Sequence, residues 1–438
     1  MRELFGRLTP VQVVTLGYAL YAVSIAGLLC VPFAWAGERV GVLDNLFMAV
    51  SAVSTTGLVT VNTPDAYGFW GELVLLVGIQ VGGLGYMTFG SFMIIATRRA
   101  VDESRLRIGR VVFAMPEDFD TGDFIRQAVA FTLGLELLGA LGLWVAFAAA
   151  GVESPLWPAV FHSVSAFCTA GFSVFPDSLE GFRGDVAVNG IVSILSLAGA
   201  CGFIVSSDLY MKVRRGRRMT LTTRIILAAT GGGLAVGAVV IFFDPMMREL
   251  PVGERGMAAF FQSMSALTTV GFNSVPIGNL AGAAVMMTVV LMILGASPSG
   301  TGGGLKSTTW SAGLAATWSA VRGRKEITFF GSRLPTHRVQ AAFAALTMYL
   351  LVFAGGAIAM LLVDTQHTFE NVVFEVGSAL GTVGLSRGIT GELSAAGKCV
   401  LIVLMFVGRV GVVSLGLAAM GRADAPGEEV AVEEDLVV

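Results

Sequence analysis

Apolar residues along this chain gather in eight long blocks, at roughly 11–31, 72–97, 124–150, 186–211, 222–243, 283–311, 341–363 and 397–420. Each block is long enough for a helix to cross a hydrocarbon core of about 30 Å. The blocks come in pairs, and a shorter, semi-polar stretch lies within each pair. The four stretches align without gaps. The first holds Phe47, Ser51, Ala52, Thr55, Gly57 and Leu58; the second holds Phe161, Ser165, Ala166, Thr169, Gly171 and Phe172. The third holds Phe261, Ser265, Ala266, Thr269, Gly271 and Phe272; the fourth holds Phe374, Ser378, Ala379, Thr382, Gly384 and Leu385. The glycines are separated by 114, 100 and 113 residues. The pattern predicts a fourfold internal repeat of helix, re-entrant stretch, helix.

About ten helix-compatible residues precede each Thr-x-Gly, and they rise only about 15 Å, half a bilayer. Non-helical backbone at that depth must be buried in protein or line a wet cavity. A half-helix ending there points its negative dipole end at the membrane centre. The glycine then permits a backbone that turns carbonyls inward. Four such loops around one axis would make a carbonyl ring able to replace a cation's hydration shell. A patch of small residues for helix packing would explain one copy; it does not explain four copies at the same place in each repeat.

Composition agrees with a polytopic membrane protein: 55% of 438 residues are hydrophobic and 13% charged, against about 25% charged in soluble domains. The 56 glycines exceed what helix packing needs. Cys30, Cys168, Cys201 and Cys399 stand singly, without disulfide or metal spacing, and the three histidines offer no ligand pair. No cleavable signal is evident, because Arg2 and Arg7 precede a block long enough to span.

The net charge of −3 conceals a segregation. Twenty of the 28 Lys and Arg fall on one side of the predicted topology. The positive-inside rule makes that side, with both termini, cytoplasmic, so the re-entrant stretches enter from outside. Asp44, Glu153, Asp244, Glu254, Asp364 and Glu370 precede the stretches on the outer side. They are candidates for concentrating cations at a vestibule, or ordinary solvated loop charges. The basic loops 98–126, 212–224 and 319–338 would suit an acidic partner, although topology alone explains their charge.

Two features break the symmetry. The sixth block contains "GASPSGTGGGLKSTT" from Gly295 to Thr309, where Pro298 and five glycines cannot hold a regular helix. The equivalent stretches "GGLGYMTFG", "GACGFIVSS" and "GRVGVVSLG" are milder. The eighth block carries Arg409 between apolar neighbours, an expensive placement that marks function; a helix-to-helix hydrogen bond fixing packing is the plainer reading. Glu136, midway along the third block, needs a partner and reads as packing or a helix–helix contact. His162 has no sequence partner and reads as packing. No Ser/His/Asp set, HExxH or carboxylate pair points to an enzyme.

The four stretches, the "SPSGTGGGLKSTT" loop and the "GRVG" of the last block resemble the Trk/Ktr/HKT superfamily of potassium transporters, and within it the bacterial Ktr-type membrane subunit. The resemblance implies an all-α polytopic membrane protein of four helix–pore-helix–helix repeats, forming a pseudo-fourfold, potassium-channel-like pore. Repeats are expected at 1–97, 98–221, 222–325 and 326–420, with a short acidic cytoplasmic tail at 421–438. The filter is expected from Thr55, Thr56 and Gly57; Thr169, Ala170 and Gly171; Thr269, Val270 and Gly271; and Thr382, Val383 and Gly384. The gate is expected from Gly295, Ser297, Pro298, Ser299, Gly300, Thr301, Gly302, Gly303, Gly304 and Lys306, with Arg409 beside it.

K+ is the implied transported ion, Na+ an open second, and no organic cofactor is implied. The implied setting is a homodimer in the lipid of the bacterial cytoplasmic membrane, seated on a cytosolic ring of nucleotide-binding regulator subunits, without nucleic acid. The filter stretches TTGL, TAGF, TVGF and TVGL are less uniform than a potassium channel's TVGYG, so a sodium-permeable member stays among the readings. A secondary cation symporter with broken helices is the other alternative, though such folds usually show two repeats.

Overall fold

The computed structural model describes residues 10–96, 121–216, 218–298, 300–324 and 326–411. Each repeat is an outer helix, a half-length pore helix and an inner helix. In the first these are α1 (Pro10–Leu29), α2 (Val42–Val53) and α3 (Phe69–Ala96). In the second they are α4 (Thr121–Ala149), α5 (Leu156–Phe167) and α6 (Val186–Arg215). The third has α7 (Leu221–Phe242), α8 (Val252–Thr268) and α9 (Gly282–Leu294), with α10 (Ser307–Val321) resuming after a break. The fourth has α11 (Thr336–Val363), α12 (Phe369–Gly381) and α13 (Ala395–Val410). A hairpin of β1 (Thr328–Phe329) and β2 (Ser332–Arg333) joins α10 to α11. Its turn uses positive φ at Phe330 and Gly331, the geometry that suits a two-residue hairpin loop.

The repeats close on themselves. Each inner helix packs against the pore helix of the next repeat: α3 on α5, α6 on α8, α9 on α12, and α13 back on α2. A polar contact seals every seam near the ends that hold the pore-helix entries. Trp157 Nε1 donates to Glu72 at 2.6 Å, and Arg183 Nε pairs with Glu254 at 3.4 Å. Arg387 donates to the Leu280 carbonyl at 3.3 Å, and Lys398 pairs with Asp44 at 2.7 Å. The pore helices form the core: Phe47, Phe161, Phe261 and Phe374, the first residues of the repeated pattern, are all fully buried. The outer helices expose Leu20, Leu137, Leu138, Val239, Leu351 and Leu362 to their surroundings. That is the apolar exterior a bilayer solvates, and the reverse of a soluble surface.

Five of the six outer acids hold structural contacts. Asp44, Glu254 and Glu370 are in ion pairs. Asp244 accepts from the amides of Met246 and Ala281, and Asp364 from Ser394. Glu153 is exposed.

A candidate ion pathway

Every pore helix ends the same way. The threonine after it has a left-handed backbone: φ is 51° at Thr55, 52° at Thr169, 59° at Thr269 and 47° at Thr382. A β-branched residue there is a true outlier, costing about 1–3 kcal/mol. Two residues on, Gly57, Gly171, Gly271 and Gly384 take φ of 93°, 66°, 83° and 98°. Two positive-φ residues flanking one ordinary residue turn successive carbonyls to the same side, where a strand would alternate them.

The recurrent serine of the pattern fastens this bend. Its carbonyl accepts from the residue before the glycine in all four repeats, as from Thr56 N to Ser51 O at 2.8 Å and from Val383 N to Ser378 O at 2.8 Å. Its hydroxyl accepts from Gly57 N and Gly384 N at 3.0 Å in the outer two repeats. In the middle two it donates to Phe172 O at 2.8 Å and Phe272 O at 2.6 Å.

The four bends meet in a ring. A Cβ on Gly57 would collide with the Ala170 carbonyl, one on Gly171 with Val270 O, one on Gly271 with Val383 O, and one on Gly384 with Thr56 O. The cyclic order is that of the repeats, and the clash partner is always the residue before the next glycine. None of these four carbonyls accepts a hydrogen bond from a described residue. Buried carbonyls are nearly always paired, so four unpaired in one ring are the exception, and oxygens so arranged have the chemistry of cation ligands. Above the ring lies a cavity of about 230 Å³, lined by all four glycines and by Asp177 and Glu180. Glu180 accepts from Asn273 Nδ2 at 2.7 Å. Burial, and then the charge of Asp177, raise its pKa above the ordinary carboxylate range. Sequence reading missed both acids, because they follow the second filter stretch and only the folded loop returns them to the mouth.

Below the ring lies the 295–306 segment. Helix α9 stops at Leu294, Gly295 takes φ of 59°, and Ala296 N bonds Gly303 O at 3.1 Å to pinch off a loop. The neighbouring helix α6 is broken at Gly202, where φ is 79° and ψ 173°. That break is milder than the 295–306 loop, as expected for "GACG", but it is a true interruption. It frees three carbonyls that a regular helix would consume. Thr301 N bonds Gly199 O at 3.0 Å, Ser297 N bonds Ala200 O at 3.1 Å, and Ser297 Oγ bonds Cys201 O at 2.7 Å.

The loop thereby reaches three of the four filter threonines. Thr169 Oγ1 donates to Thr301 Oγ1 at 3.2 Å, and Gly303 N donates to Thr269 Oγ1 at 2.9 Å. A Cβ on Gly303 would strike Thr382 Oγ1. Gly300 and Gly302 admit no side chain either, against Ala200 O and Thr268 O. Gly304, at φ of 70°, packs on Gly295. Lys306 Nζ donates to Gly302 O at 2.7 Å. Pro298 lies on the loop's far side, lining a separate cavity, and Ser299 lies outside the described residues. Arg409, on α13, is 5% exposed. It donates to Thr301 O at 2.5 Å and to Gly82 O at 2.6 Å, bridging the loop to α3.

Two residues left open by the sequence find their partners. Glu136 accepts from Gln80 Nε2 at 3.0 Å and lies 3.7 Å from Cys168 Sγ, beside the second filter stretch. His162 is partnered after all: Nδ1 lies 2.7 Å from Pro158 O and Nε2 2.9 Å from Ser173 Oγ. It stacks between Phe175 and Phe272.

The family described as TrkH, cation transport protein, matches residues 21–423. The chain is 33% identical over 412 residues to the Ktr system potassium uptake protein B of Bacillus subtilis, covering 92% of each chain. It is 30% identical over 431 residues to the potassium/sodium uptake protein NtpJ of Enterococcus hirae, covering 95% of this chain and 94% of that one. The crystal structure of the potassium transporter TrkH from Vibrio parahaemolyticus superposes with a TM-score of 0.74 at 21% identity, covering 92% of this chain and 83% of that one.

Proposed function

The chain belongs to the TrkH family of cation transport proteins, and from that premise we propose that it takes up potassium through the carbonyl ring around Gly57, Gly171, Gly271 and Gly384. The observation that carries this is the ring itself: four inward-turned, unpaired carbonyls preceding four glycines that close on one another in repeat order. An entering ion exchanges water for these oxygens. The acids Asp177 and Glu180 raise its concentration at the mouth. Relatives named for potassium uptake support that ion, and the one named for potassium and sodium keeps sodium as a second.

Below the ring, the 295–306 loop is the gate and Arg409 its latch. Loop groups bonded to Thr169 and Thr269 stand where an ion would leave the filter. Arg409 is a fixed positive charge. An ion passing within about 5 Å meets roughly 3 kcal/mol of repulsion at an effective dielectric near 20. Arg409 also holds the loop through Thr301 O. Opening therefore requires its two carbonyl bonds to be exchanged, which a partner pulling on the cytoplasmic ends of the inner helices would achieve. A cytosolic nucleotide-binding ring under a homodimer fits that role, with both termini cytoplasmic in a bacterial inner membrane. The four repeats would run 1–97, 98–221, 222–325 and 326–420.

The test is rubidium uptake into cells lacking their own potassium systems, with and without sodium. Sodium-independent or sodium-stimulated rubidium uptake is the expected result. Uptake no greater than in cells with empty vector, from protein shown to reach the membrane, would overturn the reading.

A further inference from the structure

On the cytoplasmic side of the loop lies a cavity of about 410 Å³ between α7, α10, α11 and the β-hairpin. It is distinct from the ion pathway, although Pro298 of the loop forms part of its wall. Its lining is divided by chemistry. Ile225, Leu334 and Val339 give an apolar wall; Thr222, Thr308, Thr309 and Ser311 give hydroxyls; Arg338 gives one positive charge. No carboxylate lines it among the described residues.

Three observations give this cavity the character of an anion site. Ser311 is 3% exposed, yet its hydroxyl makes no hydrogen bond among the described residues. A hydroxyl that opens onto the cavity and bonds no described residue is a donor available to a ligand there. Arg338 makes no ion pair among the described residues, unlike Arg333 beside it, which pairs with Glu326 at 3.0 Å. Thr308 and Thr309 belong to the first turn of the fifteen-residue helix α10, whose dipole favours negative charge.

The surroundings specify the rest of the ligand. Counting along α10, Ser311 shares a face with Leu314 and Trp318, and both of these are 57% exposed. Arg322 stacks on Trp318 at 4.3 Å, the aromatic-and-basic pairing of a membrane–water interface. The helix face that enters the cavity at Ser311 therefore continues as a lipid-facing stripe.

We propose that this cavity binds a phosphate-bearing anion, its oxygens on Arg338, Ser311 and the start of α10, and that the membrane supplies it as the headgroup of an anionic phospholipid. The same chemistry would admit inorganic phosphate or a soluble phosphate ester, which the experiment separates. A headgroup seated there touches Pro298 and braces the loop from below.

The experiment measures binding, so its outcome does not depend on the transport reading. The full chain in nanodiscs is titrated with spin-labelled phosphatidylglycerol and, separately, spin-labelled phosphatidylcholine, with and without inorganic phosphate. We expect the anionic lipid to be preferred about tenfold, the scale of one charge-assisted contact. Arg338→Gln should bring the two lipids to parity, Arg338→Lys should retain part of the preference, and Ser311→Leu should weaken binding by removing the hydroxyl and narrowing the cavity. Displacement of the labelled lipid by inorganic phosphate would support the anion site and assign it to a soluble source. Equal binding of both lipids by the unmodified chain, with no effect of phosphate, would overturn the proposal. So would a preference that survives unchanged in both Arg338→Gln and Ser311→Leu. The unmodified chain decides the matter even where a variant does not fold.

Discussion

The filter ring and the layer of inner helices beneath it come from the same four repeats, and they differ in how far those repeats have diverged. In the ring, threonine φ angles lie between 47° and 59°, and each glycine meets the same atom of its neighbour. One layer down, α6 is kinked at Gly202, α9 gives way to a loop after Leu294, and α13 stops before Gly411, whose φ is 91°. Arg409 follows Gly408, while the matching positions in the other repeats hold Gly83, Ala200 and Ala296. The ring must offer an ion equivalent oxygens from four sides, so every repeat meets the same backbone requirement. A plug needs only one side, and one chain carrying four unequal repeats can supply one loop and one arginine. On the proposed reading, equivalence would serve coordination and inequivalence control.

The comparison breaks first at the ring if it breaks at all. Gly271→Ser places a Cβ against Val383 O and must displace that carbonyl. Potassium-over-sodium preference, read from competing rubidium and sodium uptake, should fall at least about a hundredfold, the equivalent of ~3 kcal/mol. Gly171→Ser should do the same, because equivalence predicts equal damage. Unchanged ratios in both variants would remove the ring from the ion path.

The layer below should respond in the opposite direction. Arg409→Gln removes the fixed charge and the bridge from Thr301 O to Gly82 O, and rubidium flux should rise by up to about a hundredfold. Arg409→Lys keeps the charge but lacks a fork to span two carbonyls, so its flux should fall between the two. A Gln variant that reaches the membrane and conducts no better than the parent sinks the latch. Deleting Ser299–Gly303 should raise flux about tenfold, because the loop's bonds to Thr169 and Thr269 go with it. Flux unchanged or lower in a folded deletion would make the segment a connector.

The smallest effect belongs to the vestibule. Glu180 has a raised pKa, so it loses its charge at a higher pH than an ordinary carboxylate as the outside is acidified. At low ionic strength, uptake should drop about twofold over that range. Glu180→Gln should show the reduced rate at neutral pH and less response to acid. An identical pH response in the variant would place the titrating group elsewhere.

How legible these regions were in the sequence follows the same division. The ring was legible because the positive φ two residues after each threonine favours glycine, and the serine that fastens the bend recurs with it, so one pattern repeats four times. The loop was legible because Pro298 and five glycines exclude a helix. The break at Gly202 was not, since "GACG" resembles the helical "GGLG" and only the incoming Ser297 and Thr301 make use of the freed carbonyls. The Glu136–Gln80 contact joins residues 56 apart, and no local pattern encodes such a pairing. The outer acids stayed open between a vestibule role and solvated loop charge, because the ion pairs and turn amides that hold most of them come from distant or folded backbone.

The seam between α13 and α2 also sets an order of events during synthesis. The ribosome delivers the repeats one after another, and the wall that closes the circle against the first is the last to be made. A chain stalled after its third repeat lacks Val383, Gly384 and the helix that closes the circle. It lacks Arg409 as well, because that residue rides on the closing helix. On the proposed reading, the pore would be completed and its brake delivered by the same helix.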